Sequence, residues 1–344
     1  MTETDLAVPP GWYILCRARQ LGRAPKRFMH AGRALVAFRT KDKKLGVLED
    51  RCAHRAVPLS EGKVCGETVQ CPYHGWQYDP QGKVTHVPAL SACANAANKA
   101  RVRAWPSVEQ EGFVWIWSGE GGAPGAPPTM ANYRAPGWTS FVMQTRFKAG
   151  VDSCLENFLD CPHATFVHKY WFRAPTKQSV KAVVTTLGDG AQAEFFEEPR
   201  EKSVVWSMLA PREGKMEHVD RFIAPNTSRV DYVFPGGLHY IITSVCNPIN
   251  AFETEVITVM TFRYKRIGWL VRLFFEPLSR WIIRQDVAML GLQQRNLGPG
   301  QARAPMCSTE ADLLGTHIVM WRKSMLDKTD PPTPGQRRDH EIFL

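Results

Sequence analysis

Cys52-Ala-His54 and, after sixteen further residues, Cys71-Pro72-Tyr73-His74 decide how this 344-residue sequence is read. The pattern is C-x-H followed by C-x2-H, so each half offers one thiolate and one imidazole. A zinc finger usually pairs two cysteines in one loop with two histidines in another. Two loops that each carry one ligand of each kind instead meet the demand of a [2Fe-2S] centre in which cysteines hold one iron and histidines the other. Imidazole in place of thiolate removes negative charge and raises the reduction potential, which suits a one-electron relay fed by a ferredoxin or flavin donor. Pro58, Gly62, Pro72 and Gly75 are read as letting backbone N–H groups close over the sulfurs, with Tyr73, Trp76 and Tyr78 as an apolar wall. The competing reading is a zinc site, or four unrelated residues.

A second constellation lies downstream: Asn157-Phe-Leu-Asp160-Cys161-Pro162-His163-Ala-Thr-Phe-Val-His168. Histidines five apart stand about 140° from one another on an ideal helix, so a shared metal requires an irregular helix or converging side chains. Pro162 supplies a reason for irregularity. By itself the segment is read either as two ordinary histidines of a half-buried helix or as two metal ligands. An oxygen-activating mononuclear iron takes two histidines and a carboxylate and keeps positions open. Among the later acids Asp286 stands out, because Ile282, Ile283, Met289 and Leu290 occupy its i−4, i−3, i+3 and i+4 positions. A charge on an apolar helix face is costly unless a metal, or a cation such as Arg284, offsets it. Cys161 is read as a buried neutral side chain.

Around these segments the chain reads as two domains of an α+β protein. Short strands are expected over Trp12–Cys16, Ala34–Arg39, Leu45–Glu49, Thr68–Cys71 and Gly112–Trp117, which make a small antiparallel β domain. The Gly- and Pro-rich run Gly119–Pro128 then breaks the chain, dividing it into 1–130 and 131–344. The second part opens with a strand at Phe141–Phe147 and a helix over Asp152–Lys169. Val180–Leu187, Gln192–Glu198, Val204–Leu209, Val230–Val233, Tyr240–Cys246 and Glu255–Phe262 follow as strands of one large antiparallel sheet, with a hairpin at Gly188-Asp189-Gly190. Helices are expected over Pro277–Arg295 and Ala311–Leu326, and an extended tail from Pro331 onward. There is no internal repeat.

Composition narrows the function classes. Nine cysteines are too sparse for a disulfide scaffold and fit a reducing compartment. The first residues carry neither a basic n-region nor an apolar h-region, so the expected location is the cytoplasm. The most apolar stretch, Ile267–Ile283, is interrupted by Arg272, Glu276 and Arg280, which argues against a spanning helix. A net charge of +10 comes from scattered basic residues without a nucleic-acid motif. It fits an acidic protein partner or simply a solvated basic surface.

The run Cys52-Ala-His54-Arg55 through Cys71-Pro-Tyr-His74-Gly75-Trp76 resembles the cluster signature of Rieske-type ring-hydroxylating oxygenases and their O-demethylase relatives. Asn157 to His168 is similar to the catalytic signature of the demethylating and monooxygenating branch, and Gln285-Asp286 to Gln293-Gln294 to its late ligand-bearing helix. The resemblance implies a Rieske [2Fe-2S] domain over 1–130 and a helix-grip, START-like catalytic domain with mononuclear Fe(II) over 131–344. It implies a cluster on Cys52, His54, Cys71 and His74, and iron on His163, His168 and Asp286. Asp160 is then not a ligand: the matching aspartate bridges a metal-bound histidine to a cluster histidine of the neighbouring subunit, His74 here, in a head-to-tail homotrimer. Asn157 matches a polar residue near the iron. The implied activity is that of a terminal oxygenase, mono- or dioxygenase, taking electrons from a ferredoxin or reductase and hydroxylating or dealkylating an apolar, aromatic small molecule. The alternative is a Rieske electron-transfer protein with a non-catalytic C-terminal binding module. Between residues 170 and 280 nothing is matched residue by residue.

Overall fold

The computed structural model describes residues 6–90, 100–169, 171, 178–196, 203, 205, 215–264, 267–297 and 307–343. The chain divides into two compact units, Met1–Thr129 and Met130–Leu344.

The first unit is built from β1 (Trp12–Arg17), β2 (Lys26–His30), β3 (Arg33–Arg39), β4 (Leu45–Glu49), β5 (Lys63–Cys65), β6 (Thr68–Gln70), β7 (Gln77–Tyr78), β8 (Val84–His86), β9 (Ser107–Gln110) and β10 (Phe113–Trp117). They form three antiparallel sheets, β1-β10-β9, β2-β3-β4 and β5-β6-β7-β8. The run Leu35-Val-Ala-Phe38 on β3 is apolar at every position because both of its faces are covered. Leu35 and Ala37 join Tyr13, Val47, Val114 and Ile116 in one core cluster. Val36 and Phe38 join Leu48, Leu59, Val69 and Tyr78 in a second, which also holds Cys52 and Cys71.

The second unit contains β11 (Thr139–Phe147), α1 (Val151–Phe158), α2 (His163–Phe166), β12 (Ser179–Leu187), β13 (Gly190–Phe196), β14 (Glu217–Ile223), β15 (Thr227–Phe234), β16 (Leu238–Asn250), β17 (Glu253–Arg263), α3 (Gly268–Leu297), α4 (Gly315–Asp327) and β18 (Arg337–Phe343). Its eight-stranded antiparallel sheet runs β11-β17-β16-β15-β14-β13-β12-β18. Strands β12 to β17 are a continuous meander, and Leu187 pairs with Gly190 across the Gly188-Asp189 turn. A Cβ at Gly190 would fall 2.0 Å from the Phe222 carbonyl, so only glycine allows the next strand this close. Buried residues of all three longer helices, among them Leu155, Ile283 and Ile318, share one core with sheet residues such as Phe222, Tyr240 and Phe262. This is the expected grip of helices by a large sheet.

Several local expectations change. The helix expected over Asp152–Lys169 is broken between α1 and α2, at Leu159–Pro162. The helix expected from Pro277 begins at Gly268, with Pro277 inside it. The carbonyl that proline leaves without an N–H partner belongs to Leu273, an exposed residue on the outer side of the helix. The last helix starts at Gly315, after a turn in which the Asp312 carboxylate accepts from the Thr309 N–H. The tail from Pro331 is not merely extended: β18 pairs with β12 along Ser179–Thr185 and gives the sheet its edge. The strand expected over Val204–Leu209 lies outside the described residues except at 205.

Candidate metal centres

The four cluster candidates sit on two loops of the first unit, between β4 and β5 and between β6 and β7. Each loop is closed by its own backbone. Cys52 N–H donates to Val57 O at 2.9 Å and Ala56 N–H to Cys52 O at 2.9 Å; Cys71 N–H donates to Trp76 O at 2.8 Å and Gly75 N–H to Cys71 O at 3.2 Å. Gly75 takes φ +73°, open to glycine without strain. Gly62 serves a different end from the one expected. A Cβ there would lie 1.9 Å from the Gln70 carbonyl, so its role is to let the strand before Cys71 approach the first loop.

The thiols of Cys52 and Cys71 are buried, while His54 and His74 are exposed, their ring centroids 4.7 Å apart. Trp76 stacks on His54 at 4.9 Å and 7°. Burial, then the neighbouring Cys52, pushes the Cys71 thiol above its ordinary pKa, against hydrogen bonds from the backbone N–H groups of Tyr73 and His74. The apolar wall needs correcting. Tyr73 is 62% exposed. Tyr78 is fully buried and polar in function, its hydroxyl 3.1 Å from the Cys52 sulfur and accepting from Ala53 N–H at 3.1 Å. Two buried sulfurs and two solvent-facing imidazoles fit a [2Fe-2S] group with its histidine iron toward the surface. With its cluster loaded, Tyr78→Phe is expected to lose one hydrogen bond to sulfur and lower the midpoint potential by roughly 20–60 mV, read by redox titration. An unchanged midpoint would show that the hydroxyl does not act on the sulfur.

In the second unit the helix break is what gathers the other candidates. Leu159 leaves helical geometry at φ −117° and ψ 11°, and Pro162 starts the short α2. His168 follows the end of α2, so the two histidines escape the 140° separation of a regular helix, and their ring centroids lie 5.3 Å apart. Asp286 is on the buried stripe of α3 formed by Phe275, Ser279, Ile282, Ile283 and Leu290. Met289, expected on that face, is 45% exposed. Asp286 Oδ1 is 3.0 Å from His168 Nε2 and 3.6 Å from His163 Nε2. It pairs with these histidines, not with Arg284.

The outer nitrogens orient the inner ones. His168 Nδ1–H donates to Gln285 Oε1 at 2.7 Å, and His163 Nδ1–H to the Asp160 carbonyl at 2.5 Å. Both Nε2 lone pairs then face the carboxylate, whose Oδ1 is buried without a hydrogen bond. Burial pulls the His163 pKa down, opposed by Asp286 and Asp160. At His168 burial acts the same way, but the Asp286 and Gln285 contacts outweigh it and raise the pKa. Three electron-rich atoms within 4.8 Å of one another call for positive charge, and the donor set of two imidazoles and a carboxylate suits Fe(II). Asp160 touches His163 through its main chain, and its carboxylate oxygen lies 3.4 Å from the His163 N–H.

His163, His168 and Asp286 line one end of a cavity of about 880 Å³, open mouth included, beside Met143, Phe158 and Ile282. Asn157 and buried Cys161 line it too, and the Asn157 amide nitrogen has no hydrogen-bond partner. Sequence reading missed the anchor Gln285, although it adjoins Asp286. It also missed His218 and Asp220, which line the cavity from strand β14 and left no motif.

A cluster-binding β unit joined to a helix-grip unit with two histidines and one carboxylate defines a class, and similarity to known proteins agrees with it. Residues 11–106 match the Rieske [2Fe-2S] domain and residues 147–328 the vanillate O-demethylase oxygenase C-terminal domain, so the chain belongs to the Rieske oxygenase family. Chlorophyllide a oxygenase of Arabidopsis thaliana is 27% identical over 87% of this chain and 54% of its own length. Its counterpart in Oryza sativa subsp. japonica is 38% identical over 84% and 52%. The chain thus spans about half the length of these curated relatives. The crystal structure of dicamba monooxygenase bound to dicamba shares the fold, with a TM-score of 0.76 at 19% identity, covering 94% of this chain and 98% of that one. No helix among the described residues is long and apolar enough to cross a membrane.

Proposed function

We propose that the chain is a terminal oxygenase, with a [2Fe-2S] cluster on Cys52, His54, Cys71 and His74 and Fe(II) on His163, His168 and Asp286. Electrons come from a ferredoxin or flavin reductase, and the substrate is an apolar, aromatic small molecule. One observation carries this reading: His163 Nε2, His168 Nε2 and Asp286 Oδ1 converge at the end of a largely apolar cavity. Iron bound there would supply O2 activation with electrons relayed by the cluster. The protein contributes the rest. Gln285 and the Asp160 carbonyl fix the two imidazoles. Met143, Phe158, Ile282 and Ile283 exclude water and pack on the substrate. Asn157 offers an unpaired N–H beside the reacting position. The product is a hydroxylated carbon or a dealkylated heteroatom, with one or both oxygen atoms incorporated.

The eight described cysteines are all free, which supports a reducing compartment such as the cytoplasm. The assembly is read as a head-to-tail homotrimer in which Asp160 links His163 to His74 of the partner subunit. Asp160→Asn is then expected to keep its iron but slow cluster oxidation by O2 and substrate about tenfold or more, measured by stopped-flow absorbance, since the bridging charge is lost. Wild-type oxidation rates would remove Asp160 from the path. The function itself is tested by substrate-dependent O2 uptake of the iron-loaded, chemically reduced chain. A chain whose cluster cycles while no O2 is consumed would be an electron carrier instead.

A further inference from the structure

The inner face of β14 carries His218, Asp220 and Phe222, all buried. An acid and a histidine on the core side of a sheet are costly unless each is satisfied. His218 is clamped between its two cross-strand neighbours, Phe195 on β13 and Tyr232 on β15. Both rings stack on it at 4.4 Å, with interplanar angles of 13° and 18°. The clamp fixes the plane of the imidazole, and its Nε2 lies 2.9 Å from Asp220 Oδ1. Asp220 is 3% exposed and lines the same cavity as the His163–His168–Asp286 group. A carboxylate fixed through one oxygen presents the other as an acceptor.

The rest of the floor points the same way. Ser228, Ser244 and Thr258 are direct cross-strand partners on β15, β16 and β17, and all three line the cavity as a row of hydroxyls. Ser244 and Thr258 already bond to each other at 3.0 Å. Among the described residues lining the cavity there is no lysine or arginine. At this wall a ligand carboxylate or sulfonate would meet the Asp220 charge beside the His218 imidazole alone, with no guanidinium or ammonium among the described lining residues to pair it.

We propose that Asp220, positioned by the clamped His218, is the polar anchor of the substrate cavity, and that the ligand is a neutral or cationic ring compound with a hydroxyl or amino donor, not an aromatic carboxylate or sulfonate. This rests on the reading above that the cavity beside the iron is the substrate site. The donor end bonds Asp220 and the hydroxyl row, the apolar body lies against Met143 and Ile242, and the opposite end reaches the iron side. Asp220 sets which ligand binds and how it is turned.

The test uses methoxyarenes of one, two and four rings, each as the methanol, the methylamine and the carboxylate. Calorimetry on the anaerobic, cluster- and iron-loaded chain reads binding without turnover. Alcohols and amines are expected to bind about 10- to 100-fold tighter than matched carboxylates, the worth of a hydrogen bond to a charged group. Asp220→Asn, isosteric and checked for unchanged melting and iron content, is expected to erase that difference. Carboxylates binding as tightly as alcohols to the wild-type chain would overturn the anchor without recourse to any variant, as would an unchanged preference in Asp220→Asn. Binding by no member would overturn the cavity as a ligand site. Donor-selective binding without O2 uptake would leave the anchor standing and count against the oxygenase reading instead.

Discussion

Asp286→Asn is expected to reduce iron from about three to about two per chain, leave the cluster signal untouched and lower substrate-dependent O2 uptake by roughly 10³-fold or more, because several kcal/mol of metal-based stabilisation disappear. The same substitution has a second signature, of opposite sign. In the metal-free chain Asp286 Oδ1 is buried without a hydrogen bond, 3.0 Å from a His168 nitrogen whose proton sits on the other side of the ring. An asparagine amide can donate to that nitrogen. Above the pH at which His168 loses its proton, the metal-free variant should therefore melt at least as high as the metal-free wild type, by about 2–4 °C for each kcal/mol recovered, and below it the variant, lacking the carboxylate that raises the His168 pKa, should melt lower. Added Fe(II) should raise the melting temperature of the wild type alone, by mass action. Scanning calorimetry with and without Fe(II), beside iron analysis, reads both effects. Retained iron and normal O2 uptake in the variant would remove Asp286 from the ligand set.

How much of this was legible in the sequence depends on how local the determinants are. The cluster loops are closed by bonds within a few residues, from Cys52 to Val57 and from Cys71 to Trp76, so a motif of short spacing announces them. Asp286 was found by a weaker signal, an acid on an apolar helix face, and the signal was partly misread, since Met289 points outward. The convergence of His163 and His168 needed the break at Leu159–Pro162, which Pro162 suggested but did not position.

The β14 wall of the cavity was illegible for a physical reason. Strand β14, Glu-His-Val-Asp-Arg-Phe-Ile, places His218 and Asp220 at inward positions where a strand pattern calls for apolar residues. Local rules fail where a sheet face has become a binding surface. Edge strand β18 is hidden in the same way: Arg337-Arg-Asp-His-Glu-Ile-Phe buries little beyond Ile342 and is held by backbone pairing to β12, at a distance in sequence no local pattern reports.

Cys71→Ala should have the opposite pattern of losses to Asp286→Asn. Removal of one thiolate strips the whole cluster, so visible absorbance and the paramagnetic signal of the reduced state vanish, and iron falls from about three to about one per chain. The remaining iron stays, because His163, His168 and Asp286 all belong to the second unit. Stability should fall in the first unit alone. Residues 53–56 and 72–74 are exposed, so the loop tips add nothing to the buried core that holds Cys52 and Cys71. Metal binding that organises such loops is itself folding free energy. Limited proteolysis should therefore cut within these two loops in the variant and spare them in the loaded wild type. Cys65→Ala is the control, since the thiol of half-buried Cys65 donates to the Gln70 side-chain oxygen at 3.3 Å and lies in neither loop. Loss of colour in Cys65→Ala, or its survival in Cys71→Ala, would move the cluster off the four residues proposed for it.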